Sequence, residues 1–185
     1  MARSELQQST ARFLDYLRDV RQLSGHTISN YQRDLNSLTD YCDKTQITSA
    51  KNLVEADIRQ WVSQMHRRGL GGSSIQRSLS AVRSFFNYLS REQGYQRNPA
   101  VAVQAPRKPR KLPKTMDADQ VDKYLKFNGD SAIVRRDSAI AELFYSSGLR
   151  LAELTSMNIA DIDRESCLLR VTGKGSKERL VPFGA

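Results

Sequence analysis

The segment Gln104-Ala-Pro-Arg-Lys-Pro-Arg-Lys-Leu-Pro-Lys114 constrains this chain more than any other part of it. Three prolines within it each fix φ and remove a backbone donor, so neither a helix nor a central strand can cross it. Five cations and no acid make it an extended linker. Arg107, Lys108 and Lys111 could lie along a row of phosphates, or the segment could stand in solvent as a plain hinge. The chain of 185 residues is therefore expected to be a domain over 1–103, a linker over 104–114 and a second unit over 115–185.

Charge follows the same division. The net charge is +9, and the residues through Arg110 carry 17 basic against 9 acidic side chains, while those from Lys111 onward carry 12 against 11. A polyanion-binding surface is thus expected mainly in the first half, with nucleic acid or an acidic membrane surface as the partner class. No apolar run approaches the ~20 residues of a membrane span. The N-terminal stretch breaks its apolar residues with charges and shows no signal-peptide core, so a cytoplasmic protein is expected. Cys42 and Cys167 lie far apart, which excludes a disulfide framework or zinc ribbon and leaves two ordinary buried thiols.

Apolar spacing predicts four helices before the linker. Phe13, Leu14, Leu17 and Val20 mark the first. Ser24 caps a second carrying Ile28, Tyr31, Leu35 and Leu38, which makes an α-hairpin with the first. Ile58, Trp61, Val62 and Met65 mark a third that stops at Gly69. Ser73 or Ser74 is expected to cap a fourth, with Ile75, Leu79, Val82, Phe85, Phe86 and Leu89 on its apolar face. Beyond the linker, Asp117 to Gln120 opens a helix through about Phe127, another runs from about Val134 to Ser147, and a short one begins near Arg150. Cys167–Val171 and Arg179–Phe183 then read as a β-hairpin with a basic tip.

The fourth helix and its flanks, 67–97, hold six arginines and one acid. Ser73, Gln76, Arg77, Ser80 and Arg83 fall among its polar positions, and Thr27, Asn30 and Arg33 offer a similar set on the second helix. Arginine with short hydroxyl and amide side chains suits a major groove, where it reads bases and holds phosphates. Any one of these arginines could equally sit on a solvated face; the cluster favours nucleic acid. Gly173-Lys-Gly-Ser-Lys177 is not a phosphate-binding P-loop, because Lys174 precedes Gly175 in a strand-turn-strand context. Lys174 can still place an ammonium on a phosphate from a hairpin tip, or be an ordinary exposed turn residue. Arg150 opens a helix among Leu149, Leu151 and Leu154, with Glu153 one turn on. A semi-buried guanidinium is expected there, awaiting an anion or simply paired with Glu153. His26 and His66 sit at helix termini, out of metal-ligand spacing.

These blocks resemble the Xer tyrosine site-specific recombinases of the phage integrase family, most closely their XerC branch. The resemblance rests on Leu23-Ser24 and His26-Thr27, Tyr31 to Leu35, Arg83 to Phe86, Asn98 to Ala100, Leu112 to Lys114, Gly148 to Leu154, Asp161-Ile162 and Gly173 to Arg179. It implies a mainly α fold: a helical core-binding, SAM-like domain, then the opening of an α+β catalytic domain with a β-hairpin, the two clamping duplex DNA. It implies that Arg150 binds the non-bridging oxygens of a scissile phosphate, supported by Glu153, and that Lys174 helps protonate the departing 5′ oxygen. It implies a XerD-like partner in a heterotetramer, a DNA translocase among candidate activators, and chromosome dimer resolution at cell division. Tyrosyl transesterification conserves bond energy, so no metal, ATP or other cofactor is expected. All seven tyrosines and both histidines precede Arg150, whereas the family's nucleophile, His-x-x-Arg pair and further His or Trp follow the hairpin. The 185 residues are therefore expected not to cleave DNA alone, and 115–185 to need a complementing segment to order fully. A non-enzymatic DNA-binding fragment and a phage or integron integrase are the competing readings.

Overall fold

The computed structural model describes residues 4–106, 112, 115–173, 175 and 177–184. Two compact units divide the chain, residues 1–111 and 112–185.

The first unit is helical. Helix α1 (Glu5–Asp15) opens on a reciprocal capping box in which Ser4 Oγ accepts from Gln7 N and Gln7 Oε1 accepts from Ser4 N. It runs on into a π-helical turn, Tyr16–Val20, that lets Arg21 N reach Tyr16 O. Val20, expected in the core, is exposed there. Helix α2 (Gly25–Lys44) is capped by Ser24 as its sequence predicts. Helix α3 (Glu55–Arg67) follows, and Gly69 takes φ +83° beyond its end. Helix α4 (Gly72–Gln93) is capped two or three residues before the expected serines: Gly71 is the N-cap and makes no side-chain bond. Ser73 and Ser74 lie within the first turn, which leaves the Ser73 side chain exposed.

The apolar stripes of these helices close one core around Phe13, Leu35, Leu38, Ile58, Trp61, Leu79, Phe85 and Phe86. Each such side chain contributes about 1.5–3 kcal/mol from burial before entropy is set against it. Phe13 meets Phe85 and Tyr88 at ring-centroid distances of 5.6 and 5.2 Å. Trp61 keeps its indole N–H satisfied by donating to Ser37 O at 3.2 Å. Ala100 and Val103 complete this core from the segment after α4.

The second unit is α+β. Helix α5 (Ala118–Leu125) is capped by Asp117, whose Oδ1 accepts from Gln120 N at 2.8 Å, and it ends two residues short of Phe127. Helix α6 (Ala132–Ser147) begins two residues earlier than expected because Ser131 caps it. It stops where Gly148 adopts φ +59°, a left-handed conformation that glycine tolerates best. Helix α7 (Leu151–Thr155) leads to a three-stranded antiparallel sheet, β1 (Ile162–Asp163), β2 (Leu168–Thr172) and β3 (Glu178–Pro182), in that order. The β2–β3 hairpin matches the sequence reading; β1 was not anticipated. Leu169 and Val171 alternate onto one face of β2 and pack with Leu149, Phe144, Leu154 and Met157. This is a far smaller core than that of the first unit, and none of the described α6 residues is fully buried. No helix among the described residues is long and apolar enough to cross a membrane.

Candidate functional site

Where α7 meets the sheet, a buried carboxylate lies between two arginines. Arg150 is the N-cap of α7, and its backbone N–H donates to Glu153 Oε2 at 2.8 Å while its Nη1 donates to Oε1 at 2.8 Å. From β3, Arg179 donates through Nη1 to Oε1 at 2.6 Å and through Nη2 to Oε2 at 3.0 Å. The side chain of Glu153 is only 3% exposed, whereas that of Arg150 is 72% exposed. This reverses the expectation of a semi-buried Arg150. Leu151 is itself exposed and gives the guanidinium no apolar cover, and the i+3 spacing brings the carboxylate inward instead.

The consequences are electrostatic. Arg179's hydrogen bonds, followed by the Arg150 backbone N–H, hold the Glu153 carboxyl at about 2, well below its ordinary value. Glu153 is thus an anion at any physiological pH, and its charge is answered twice. The only guanidinium bond that Arg150 makes among the described residues goes to Glu153. Most of its planar fork of donors is open to an outside anion. Gly173 lies beside the pair: a Cβ there would come within 3.3 Å of Arg179 Nη1 and 3.5 Å of Glu153 Oε1. A side chain at 173 would press on that pair by a few tenths of an ångström, while Gly175 supplies the φ of +77° that turns the hairpin.

Sequence reasoning singled out Arg150 and Glu153 but missed Arg179 as a partner. A signal was present. Val171 and Arg179 are cross-strand partners, so Arg179 shares the face on which Val171 is buried. Lys174 lies outside the described residues, as do Arg107, Lys108 and Lys111.

In the helical unit the candidate DNA-facing residues separate into two groups. Arg33, Ser73 and Gln76 are exposed, while Asn30, whose Oδ1 accepts from Arg33 Nη2 at 2.6 Å, and Thr27 beside the Ser24 cap are half-buried. Arg77 and Arg83, expected on the same outward face, have internal partners. Arg77 pairs with Asp34 of α2, a carboxylate 5% exposed that also accepts from Ser78 Oγ at 2.9 Å. Arg83 donates through Nε to Ala100 O at 2.9 Å and through Nη2 to Val103 O at 2.5 Å. They stand at the edges of the apolar stripe rather than at the centre of the polar one, which puts unsatisfied groups within their reach. Asp34 is a second residue that sequence reasoning missed. A carboxylate falling between Tyr31 and Leu35 on an apolar stripe was the available sign, because a buried acid needs a partner.

Cys42 is buried and its thiol is pushed up to about 12, chiefly by desolvation. Cys167 is half-buried rather than fully buried, at a φ of +52° just before β2. His26 and His66 are exposed. Among the described residues no three His, Cys, Asp or Glu side chains gather as a metal site would require.

Comparison with known proteins agrees with the two-unit division. Residues 10–93 match the model of the phage integrase N-terminal SAM-like domain, and residues 114–185 match that of the phage integrase family. Tyrosine recombinase XerC of Stutzerimonas stutzeri is 39% identical over 181 residues, covering 97% of this chain and 60% of the relative. Tyrosine recombinase XerC of Xanthomonas campestris pv. campestris is 43% identical over 173 residues, covering 94% and 54%. The chain therefore spans a little over half the length of these relatives. Among solved structures, a lambda integrase tetramer bound to a Holliday junction matches with TM-score 0.76 at 18% identity, covering 96% of this chain and 48% of that one. The Tn1549 transposon integrase in complex with a circular intermediate DNA matches with TM-score 0.75 at 15% identity, covering 98% and 61%. On the family models and the XerC relatives together, the chain belongs to the phage integrase family of tyrosine recombinases.

Proposed function

We propose that these 185 residues form the DNA-gripping part and the first phosphate-binding element of a XerC-type tyrosine recombinase. The observation that carries this reading is the exposed Arg150 guanidinium held from behind by a buried, permanently ionised Glu153. An arginine whose partner carboxylate is already shared with Arg179 has donors left for a phosphate.

In this reading Arg150 binds the non-bridging oxygens of the scissile phosphate. When a tyrosine oxygen attacks phosphorus and the bond to the 5′ oxygen breaks, the pentacoordinate transition state carries extra negative charge. Arg150 stabilises that charge from a fixed position. Lys174 donates the proton that the departing 5′ oxygen takes up. The product is a 3′-phosphotyrosyl link that a second 5′ hydroxyl later reverses, so bond energy is kept and no cofactor is consumed. Asn30, Arg33, Ser73 and Gln76, with Thr27 at the helix start and Arg107, Lys108 and Lys111 of the linker, contact duplex DNA. Arg77 and Arg83 act behind them as anchors. In this reading the whole protein resolves chromosome dimers with a XerD-like partner in a heterotetramer. The 185 residues bind DNA without cutting it, since none of their tyrosines follows the hairpin.

The test uses a nicked suicide half-site. The chain alone is expected to give no covalent DNA adduct, and the chain extended with the C-terminal segment of a XerC relative is expected to give one that Arg150→Ala abolishes while leaving half-site binding intact. A 3′-phosphotyrosyl adduct with residues 1–185 alone, or equal loss of binding and cleavage in Arg150→Ala, overturns the reading.

A further inference from the structure

A carboxylate held by one arginine already has a structural explanation; one held by two, from different elements, couples those elements to each other. Glu153 receives two hydrogen bonds from each arginine, but only those of Arg179 both come from the guanidinium. Arg179 makes two side-chain bonds, one to each oxygen, and Arg150 makes one side-chain bond and one through its backbone. The shared oxygen is Oε1, which takes the Nη1 of both arginines. Two cations converging on one atom fix each other's angle of approach. Without Arg179 the carboxylate could rotate to take Arg150 in a symmetric, two-point grip and draw the guanidinium inward. Arg179 lies on β3, opposite Val171 across the hairpin, and Gly173 leaves the room it occupies. The hairpin and the N-terminus of α7 are thus joined through a single buried carboxylate.

We propose that Arg179 is a positioning residue: by occupying both oxygens of Glu153 it confines Arg150 to a single-point contact that keeps its guanidinium turned out toward a phosphate, and it ties the β2–β3 hairpin to that arginine. The proposal rests on the phosphate-binding reading of Arg150. It differs from a purely structural ion pair because it requires Arg150 to respond when Arg179 changes, even if the fold does not.

Two measurements test it. In the 185-residue chain, NMR follows the Arg150 Nε–H and the Glu153 carboxyl carbon in wild type, Arg179→Met and Arg179→Lys, with amide dispersion as the control for folding. Arg150 is expected to shift and change its side-chain order in both variants, and the Glu153 carboxyl to titrate above its wild-type value in Arg179→Met. Should Arg179→Met unfold the second unit, Arg179→Lys decides, because it keeps the charge and loses the two-point grip. An Arg150 signal superimposable on wild type in a folded variant overturns the proposal.

In the chain extended with the C-terminal segment of a XerC relative, Arg179→Lys is expected to slow half-site cleavage by roughly 10- to 100-fold, as misplacement of a catalytic group does, with half-site affinity unchanged. If Arg150→Ala also cleaves normally, the phosphate-binding reading fails. If Arg150→Ala is inactive and Arg179→Lys cleaves at the wild-type rate, only the positioning role fails.

Discussion

Replacing Arg77 by alanine separates an anchoring role from a DNA-contacting one. The side chain of Arg77 is 41% exposed, but Asp34 beneath it is 5% exposed and keeps only Ser78 Oγ when the guanidinium is gone. A hydrogen bond to a charged group is worth about 1.5–3 kcal/mol, and a fully buried pair broken on one side costs about 3–5 kcal/mol. Arg77 lies half in solvent and water can partly replace it, so the lower range applies, about 1.5–3 kcal/mol. With a urea m-value of about 1.5 kcal/mol/M, suited to a helical unit of this size, the unfolding midpoint falls by about 1–2 M. The single tryptophan, Trp61, is buried in the helical unit, so its fluorescence reports that unit alone. Asp34→Ala should cost a similar amount, and the double variant should cost clearly less than the two single changes added together, because the two residues share one interaction. A midpoint within about 0.3 M of wild type for Arg77→Ala, together with a marked loss of DNA affinity, would refute the anchoring role and restore Arg77 to the interface.

Arg83→Ala should leave the carbonyls of Ala100 and Val103 without their donor and free the segment after α4, read as faster amide exchange at residues 98–103 with α1 to α3 unchanged. Acid should act on the second unit through Glu153. Its folded value near 2 lies below the ordinary 4.5, so its contribution is present in full above about pH 5 and is lost as pH falls toward 2. Circular dichroism should show a stability decline over that window that is absent in Glu153→Gln. Gly173→Ala should crowd Arg179 and Glu153 by a few tenths of an ångström and destabilise the second unit by about 1 kcal/mol, the low end for overpacking because a flexible side chain can yield, seen as a lowered urea midpoint in hairpin amide signals. A thiol reagent should label Cys167 in the folded protein and reach Cys42 only on unfolding; rapid labelling of both would contradict the buried, high-pKa Cys42.

Helices were the part of this fold most open to reading, because apolar residues such as Ile28, Tyr31, Leu35 and Leu38 on α2 or Ile58, Trp61, Val62 and Met65 on α3 recur at steps of three and four, and several caps obey local chemistry. Ser24, Asp117 and Gly148 each do what their residue types favour. The start of α4 was misjudged because Ser73 and Ser74 compete with Gly71 for the same role, and an exposed first turn leaves little to decide between them. The short β1 was missed because two residues carry no periodicity; their pairing with Leu168 and Leu169 defines them. Arg150 and Glu153 were legible as a spaced pair, but not which of them is buried. That depends on Arg179, 26 residues on from Glu153 and brought in by the hairpin register. Arg77 and Arg83 show the same limit. A guanidinium at the edge of an apolar stripe reads as a surface charge until the chain beyond it supplies Asp34 or the carbonyls of Ala100 and Val103.

The central claim is that the helical unit and linker recognise a particular duplex, with Arg150 poised over its phosphate. Fluorescence anisotropy of the 185-residue chain with a chromosomal dimer-resolution half-site and a scrambled duplex, each across a range of salt, tests this most directly. The account predicts tighter binding to the half-site, a steep loss of affinity with salt on both duplexes, and a shallower slope once Arg107, Lys108 and Lys111 are replaced. Equal affinity for the two duplexes, or a slope untouched by removing the linker cations, would contradict it.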